Sequence, residues 1–342
     1  MHVLIWGGVL GNVPKGDPKY YILLTIHAIT YTSVNCYALT SGYLNVNKNF
    51  KLKRILNLWL QVFFYTAGFT LLFKLFMPES VGLKEIIKSI FPITLKQYWY
   101  FTAYFVVYML SPFFNFILQK MKKQDLKKLI ILLIVIFSAI PTLRCEDVFA
   151  TELGFSPLWL SIMYIIGGYI KLHVKEVKKK TKIKLLSIWA ISTLLTVGSR
   201  LISDLIIKNK ISFLEDYSLY HYTSLTVVLA ALCLFVLFVF ADIKGIFKKV
   251  VSFLAPMSFG IYLIHVNQLV WYNILEKRFA FAANYNIFEM LLIILLIIIG
   301  IFITCATIDY LRILLFKLIK VDKFTEKIDI KLTKLTNNII KE

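Results

Sequence analysis

Apolar positions in this chain neither alternate nor recur every third or fourth residue; they run on. Between clusters of charge lie nearly unbroken apolar segments at 20–44, 55–77, 97–119, 126–143, 156–172, 183–203, 221–241, 250–275 and 287–316. A helix rises 1.5 Å per residue, so about 20 apolar residues cross the hydrocarbon of a bilayer. In lipid only helices or closed barrels satisfy their own backbone, and the lack of period-2 alternation excludes the barrel. The expected fold class is therefore all-α, a polytopic membrane helical bundle. Ahead of the first run stands the stub "MHVLIWGGVLG", which as a helix covers only about 16 Å. A helix that stopped there would strand backbone groups in lipid. The stub thus reads as the outer half of a first helix truncated at its N-terminus, and counting it gives ten spans. One membrane domain is expected over residues 1–319, followed by a basic amphipathic tail over 320–342.

Composition agrees with that pattern. Of 342 residues 59% are hydrophobic and 17% charged, and the mean hydropathy is +0.74. The net charge of +20 would be compatible with nucleic acid, but its placement points elsewhere. The segments 45–54, 120–128, 171–184, 242–249 and 312–342 hold 27 of the 39 Lys and Arg, and the intervening ones are close to neutral. That alternation is the positive-inside pattern, which puts the basic segments and the C-terminus in the cytoplasm of a cell membrane and leaves no need for a nucleic-acid partner. In the tail, Phe324, Ile328, Leu332, Leu335 and Ile339 fall on one helical face, as in a helix lying on the inner leaflet. The four cysteines form no CxxC pair or disulfide framework, which excludes redox and structural zinc roles. No half-and-half repeat of the transporter kind is visible.

Candidate chemistry lies with ionisable and aromatic residues at bilayer depth, where charge is costly. His2 and His265 each sit about nine or ten residues before the outer end of their segments, which places both imidazoles about 14–15 Å below the outer surface. They read either as partners in one cavity or as polar glue between helices. His27 reads as packing. Lys48, Lys51, Lys53 and Arg54 cluster at the start of a helix, preceded by Ser41, Gly42 and Tyr43 near the inner interface. Such a cluster grips lipid phosphates or the pyrophosphate of a bulky anionic substrate. Trp99, Tyr100, Tyr104 and Tyr108 line one helix, as an aromatic belt or as a stacking platform for sugars.

Four segments in order, "NCYALTSGYL", "WYFTAYFVVYMLSPFFN", "WLSIMYIIGGYI" and "SFGIYLIH", resemble the membrane-integral acyltransferase-3 family, ten-helix bacterial proteins that O-acylate, mostly O-acetylate, surface sugars. The resemblance runs from residue 1 to about 315. It implies that His2 is the principal catalytic histidine and His265 a second one. Lys51, Lys53 and Arg54 then match the family's basic motif for acyl-CoA, with Ser41 and Tyr43 in its SGY motif. Ser258 and Tyr262 belong, with His265, to its SxGIYLIH motif, and Trp99, Tyr100, Tyr104, Tyr262 and Ser258 would face the acceptor. Two features depart from the family. Its arginine about ten residues before the first histidine lies ahead of this sequence's start, and the basic motif here is Lys-Leu-Lys-Arg.

The resemblance implies transfer of an acetyl group from cytoplasmic acetyl-CoA, an acyl donor and not a resident cofactor, to a hydroxyl of a cell-surface or lipid-linked glycan. His2 would serve as base or as transient acyl carrier. Membrane lipids are the other partners, no metal is called for, and the location expected is a bacterial inner membrane. A transporter or flippase for a lipid-linked glycan would share the spans, tyrosines and buried histidines but would need no acyl donor. A purely structural membrane partner would make the histidines dispensable.

Overall fold

Long apolar runs become long helices here, and where they break, a proline, a glycine or a capping side chain is present. The computed structural model describes residues 1–208 and 218–339, and among these every regular element is helical. Among the described residues seven helices are long and apolar enough to cross a membrane: 18–45, 52–76, 99–120, 123–144, 179–205, 245–265 and 287–318. Leu225–Val239 is a shorter apolar helix, and Pro157–His173 has 17 residues. The expected ten membrane-length helices are thus seven by length, because two runs give short helices and the stub gives almost none.

The elements in order are α1 (His2–Ile5), α2 (Pro18–Tyr31), α3 (Ser33–Asn45), α4 (Leu52–Phe76), α5 (Leu83–Ile90), α6 (Trp99–Lys120), α7 (Lys123–Ile134), α8 (Ile140–Arg144), α9 (Pro157–His173), α10 (Lys179–Lys208), α11 (Leu225–Val239), α12 (Gly245–Leu254), α13 (Ser258–His265), α14 (Gln268–Val270), α15 (Ile287–Leu318) and α16 (Val321–Ile339). They form two compact units interleaved in sequence. One comprises Met1, 13–49 and 103–242; the other comprises 2–12, 50–102 and the chain from Ile243 onward.

In the first unit α3 packs on α9 with almost no side-chain spacer. A Cβ on Gly42 would overlap the Tyr164 carbonyl, and one on Gly167 would overlap the Leu39 carbonyl. Lipid offers no hydrophobic drive between helices, so close backbone approach at small residues supplies dispersion instead. Buried polar groups around this seam are fully partnered. Trp159 Nε1 donates to Asn35 Oδ1 at 2.9 Å while Asn35 Nδ2 donates to the Tyr222 carbonyl at 2.8 Å. Tyr164 donates to Asn115 Oδ1 at 2.9 Å, and Asn115 Nδ2 donates to the Asn45 carbonyl at 3.0 Å.

The second unit is built on broken helices. After α4 the chain turns and α5 runs back beside it. Lys74 Nζ donates to the Val81 carbonyl at 3.1 Å, and eight residues further down Thr66 donates to the Ser89 carbonyl at 2.9 Å. This re-entrant hairpin falls between the apolar runs 55–77 and 97–119, where the sequence pattern assigns no element. The stub also departs from expectation: only His2–Ile5 is helical. Gly8 takes φ +88°, and a Cβ on Gly7 would meet the Phe279 ring. The freed carbonyls are met across the chain, Trp6 by the Lys277 amide and Gly7 by the Phe279 amide, both at 3.0 Å. That pairing lets a helix end where lipid would otherwise strand its backbone. The run 250–275 also breaks: α13 ends at His265, Asn267 Oδ1 caps the next turn by accepting from Leu269 N at 3.1 Å, and Trp271–Leu275 form a π turn. Depths counted as uninterrupted helix rise from the segment ends therefore do not apply to His2 or His265.

At the far end of this unit, α16 lies against the start of α4. Asn57 donates to Asp322 at 2.7 Å, and buried Thr325 donates to Asn57 at 2.7 Å. Phe324 and Leu332 are exposed, as the amphipathic pattern requires; the side chains of Leu335 and Ile339 lie outside the described ones.

Candidate active site

His2 opens one short helix and His265 closes another in the same unit, and the two meet there. His2 Nδ1 lies 2.8 Å from His265 Nε2, with ring centroids 5.0 Å apart. His265 Nδ1 lies 2.6 Å from the Ile261 carbonyl one turn back. A carbonyl only accepts, so Nδ1 of His265 carries the hydrogen. In the neutral ring Nε2 is then the acceptor, and His2 Nδ1 must donate to it. The Nε2 lone pair of His2 remains for another partner. One backbone carbonyl thus fixes two tautomers in series and leaves a single imidazole nitrogen as base or nucleophile. The Trp271 ring stands edge-on to His2 at 5.9 Å, and Trp6 edge-on to Trp271 at 6.1 Å. The π turn that presents Trp271 belongs to a class of helix distortion frequent at functional sites.

Beside the pair, buried Tyr98 donates to the Leu263 carbonyl at 2.9 Å and accepts from Asn267 at 2.9 Å. Tyr262 packs tilted against Tyr98 at 6.0 Å and T-shaped against Tyr100 at 6.2 Å. It also stands edge-on to His265 at 6.4 Å. Trp99 lies edge-on to Tyr100 at 5.6 Å. Trp99, Tyr100 and Tyr262 are thus brought to the histidine site. Ser258 is not: it is exposed and its hydroxyl donates to the Ala255 carbonyl at 2.8 Å.

Below α13 lies a group that sequence reasoning missed. Asp309 is fully buried and accepts from Tyr65 at 2.7 Å, from Gln61 at 3.2 Å and from Arg312 at 2.8 Å on each carboxylate oxygen. Its carboxylate occupies the space where a Cβ on Gly260 would sit. The glycine of "SFGIYLIH" is therefore needed so that α13 can lie on the ion pair of α15. The signal was present in the sequence, because Asp309 is an acid inside the long apolar run 287–316.

The basic cluster begins α4. Lys53 Nζ lies 3.4 Å from Glu326 and 3.7 Å from Asp322, both on α16 and largely exposed. Lys51 is exposed and Arg54 half-buried, and Arg54 makes no ion pair with a described residue. In the other unit, Ser41 donates to the Tyr37 carbonyl of its own helix at 3.1 Å. Tyr43 packs against Phe235 at 5.7 Å and carries the Lys171 ammonium 4.7 Å over its ring. Within the SGY triplet it is Gly42 whose role is evident, in the α3–α9 seam. Tyr104 and Tyr108 pack with ring centroids 6.2 Å apart, and Tyr108 is buried. No cluster of three metal-ligating side chains occurs among the described residues.

Among the described residues every regular element is helical and seven helices are of membrane-crossing length, which defines a multi-span membrane protein in which two broken segments meet at a hydrogen-bonded histidine pair. The acyltransferase domain of the acyltransferase-3 family matches residues 1–310, and the chain belongs to that family: it is a membrane-integral acyltransferase. No curated protein and no solved structure matches it.

Proposed function

We propose that the protein transfers an acetyl group from acetyl-CoA to a hydroxyl of a cell-surface or lipid-linked glycan in the bacterial inner membrane, with its C-terminus cytoplasmic. The observation that carries this reading is the chain Ile261 carbonyl, His265, His2, which leaves Nε2 of His2 with its lone pair free. The acceptor hydroxyl gives its proton to that nitrogen as its oxygen attacks the thioester carbonyl. The C–S bond then breaks, and the departing thiolate takes the proton from His2, so CoA leaves as the free thiol. General-base help of this kind contributes about 10²–10⁴-fold. His265 holds the ring and its tautomer, as the third group of a catalytic triad does.

Lys51, Lys53 and Arg54 are the proposed cradle for the donor's phosphates. The ion pairs that occupy Lys53 use exposed carboxylates, and such pairs are weak, so an incoming polyphosphate can displace them. The donor's reach also fits. Gly260 lies on Asp309, which Gln61 and Tyr65 hold, and Lys88 of α5 meets Gln268 beyond the histidine. Counted along α4, the histidines stand about 20 Å from Arg54, a gap for the arm between phosphates and sulfur to bridge. Trp99, Tyr100 and Tyr262 offer rings and a hydroxyl to a sugar at the other side. Ser41, Tyr43, Tyr104 and Ser258 find less support in this role, since Ser41 and Ser258 bond within their own helices.

The test is transfer of labelled acetyl from acetyl-CoA to membrane glycans, with thiol release followed in parallel. Wild-type membranes should show both; His2→Ala at equal expression should show neither above background. Full transfer by His2→Ala would remove the histidine from the reaction.

A further inference from the structure

The re-entrant hairpin takes no part in the chemistry above, yet it is tied to the segment that follows His265. Ser80 donates to Asn273 at 2.9 Å, Lys88 Nζ to Gln268 Oε1 at 3.2 Å, and Tyr98 to the Leu263 carbonyl at 2.9 Å. Phe73 and Val81 close an apolar cluster with Leu269 and Val270 around these bonds. Between α5 and α6 the chain has no regular helix from Phe91 to Tyr98. At membrane depth such backbone persists only inside protein or along a wet cavity.

Lys88 is the residue in this hairpin with an unmet demand. It is half-buried, and its ammonium makes one bond, to a neutral amide oxygen. It forms no ion pair with a described residue. The carboxylate one turn earlier, Glu85, is taken by the Gly82 amide at 3.0 Å. In the connection after α5, Gln97 Oε1 is buried with no partner, an acceptor that a water or a ligand hydroxyl would satisfy. A half-buried cation with no counter-ion among the described residues keeps its charge available to an anionic ligand. Lys74, on the opposite leg, also bonds a neutral oxygen, the Val81 carbonyl, but it is exposed.

We propose that Lys88, steered by Gln268, binds an anionic group of the acceptor, so that the acceptor is a glycan carrying a carboxylate, or a phosphate at its lipid link, close to the hydroxyl that is acylated. The inference rests on the acyltransferase reading and names its substrate class. An ammonium–carboxylate bond is charge-assisted and favours the anion over its neutral analogue. The hairpin's ties to residues 263–273 place that anion beside the histidine segment, on the same side as Tyr98, Tyr100 and Tyr262.

The experiment compares octyl β-glucuronide with octyl β-glucoside, which differ by one carboxylate, for binding to the full chain in discs of neutral lipid. Wild type should bind the glucuronide about tenfold more tightly. Lys88→Met should bring the two within about twofold, and Lys88→Arg should keep the preference. Gln268→Glu, which hands Lys88 a protein carboxylate, should abolish the preference without removing the lysine. Because each readout is a ratio within one variant, a general loss of folded protein cancels. Octyl phosphate is the third arm: stronger binding than the glucuronide assigns the anion to the lipid link, weaker binding to the sugar. Equal binding of both glycosides by wild type, or a preference that survives Lys88→Met and Gln268→Glu, overturns the proposal. Thiol release from acetyl-CoA is measured separately; its absence beside a Lys88-dependent preference defeats the transferase reading and leaves the anion site standing.

Discussion

Each unit of the chain sets a histidine among aromatic rings, His27 buried and His2 half-buried, and the two are held by different means. His27 lies flat on Tyr220, centroids 5.0 Å apart and planes 13° off parallel, with Tyr31 edge-on at 5.3 Å. Among the described residues no hydrogen bond fixes its ring. His2 has its Nδ1 fixed by His265, whose own Nδ1 is fixed by a carbonyl. The first arrangement uses the imidazole as a flat packing surface. The second assigns every nitrogen but one. The lesson is that burial alone does not single out an imidazole for chemistry; under the proposed function, a determined tautomer with one nitrogen left over is what a base requires.

The contrast can be broken most directly by paired substitutions. His2→Ala should lower acetyl transfer by about 10²–10⁴-fold, whereas His27→Phe, which keeps a flat ring against Tyr220, should leave it within about threefold. Comparable losses in both would erase the distinction. Between them stands His265→Phe, which keeps a ring but removes the acceptor for His2 Nδ1–H. Transfer should fall by about 10²-fold, with the loss in kcat and little change in KM for acetyl-CoA. A loss confined to KM would make His265 part of donor binding instead.

Stability measurements sharpen the same comparison on other helices of the same two units. Asn35 and Asn115 in the first unit are neutral and completely partnered; Asp309 in the second is charged, buried and balanced by Arg312. Asp309→Leu alone strands the Arg312 guanidinium and should cost about 3–5 kcal/mol of resistance to denaturant. Asp309→Leu with Arg312→Met should cost much less, since an apolar pair of similar bulk replaces both charges. If the double variant is as unstable as the single, the ion pair is not what the helices rest on.

The class of fold was legible because lipid leaves few choices: long apolar runs with basic segments at alternate ends have to be helices. The histidine pair was legible as residues, since an ionisable group in an apolar run stands out, and partnership in one cavity was one of two readings; the bond between the rings was not legible. Their hydrogen bond depends on α1 stopping at Ile5 and α13 at His265, and those ends depend on partners remote in sequence, Lys277 and Phe279 for one and Tyr98 for the other. The re-entrant hairpin was hidden for a related reason. "LKEIIKSI" is too short to span, and its pattern suits an interfacial helix as well as one folded against α4; only the bonds to Lys74 and Thr66 distinguish them. Gly42 and Gly260 show the remaining limit. Both stand in motifs that suggest chemistry, and both serve close approach, to a carbonyl in one case and to a carboxylate in the other.

The smallest expected effect lies outside the spans, in the loop after α8, and it contrasts a charged group that serves structure with those that serve substrate. Burial alone pushes the Asp147 carboxyl up, but the hydrogen bonds it accepts outweigh this and hold its pKa below the ordinary 3.8. They come from the Thr151 hydroxyl at 2.6 Å and the amides of Thr151 at 2.9 Å and Leu153 at 3.2 Å. These bonds close a turn in which Ala150, Glu152 and Leu153 all take positive φ, near +50°, a region that costs side-chain-bearing residues energy. A depressed folded-state pKa means the carboxylate form stabilises the loop. Its contribution is full above the unfolded carboxyl's pKa and is lost as pH falls through the lower, folded value. Loop opening, followed by amide exchange of Thr151 and Leu153, should therefore be independent of pH from neutrality down to about 5 and rise only below about 4. Asp147→Asn should show the faster exchange at every pH and no acid-dependent rise, because the amide keeps an acceptor but carries no charge to lose. Acetyl transfer near neutral pH should change little in that variant, whereas a substrate-binding carboxylate would have moved KM.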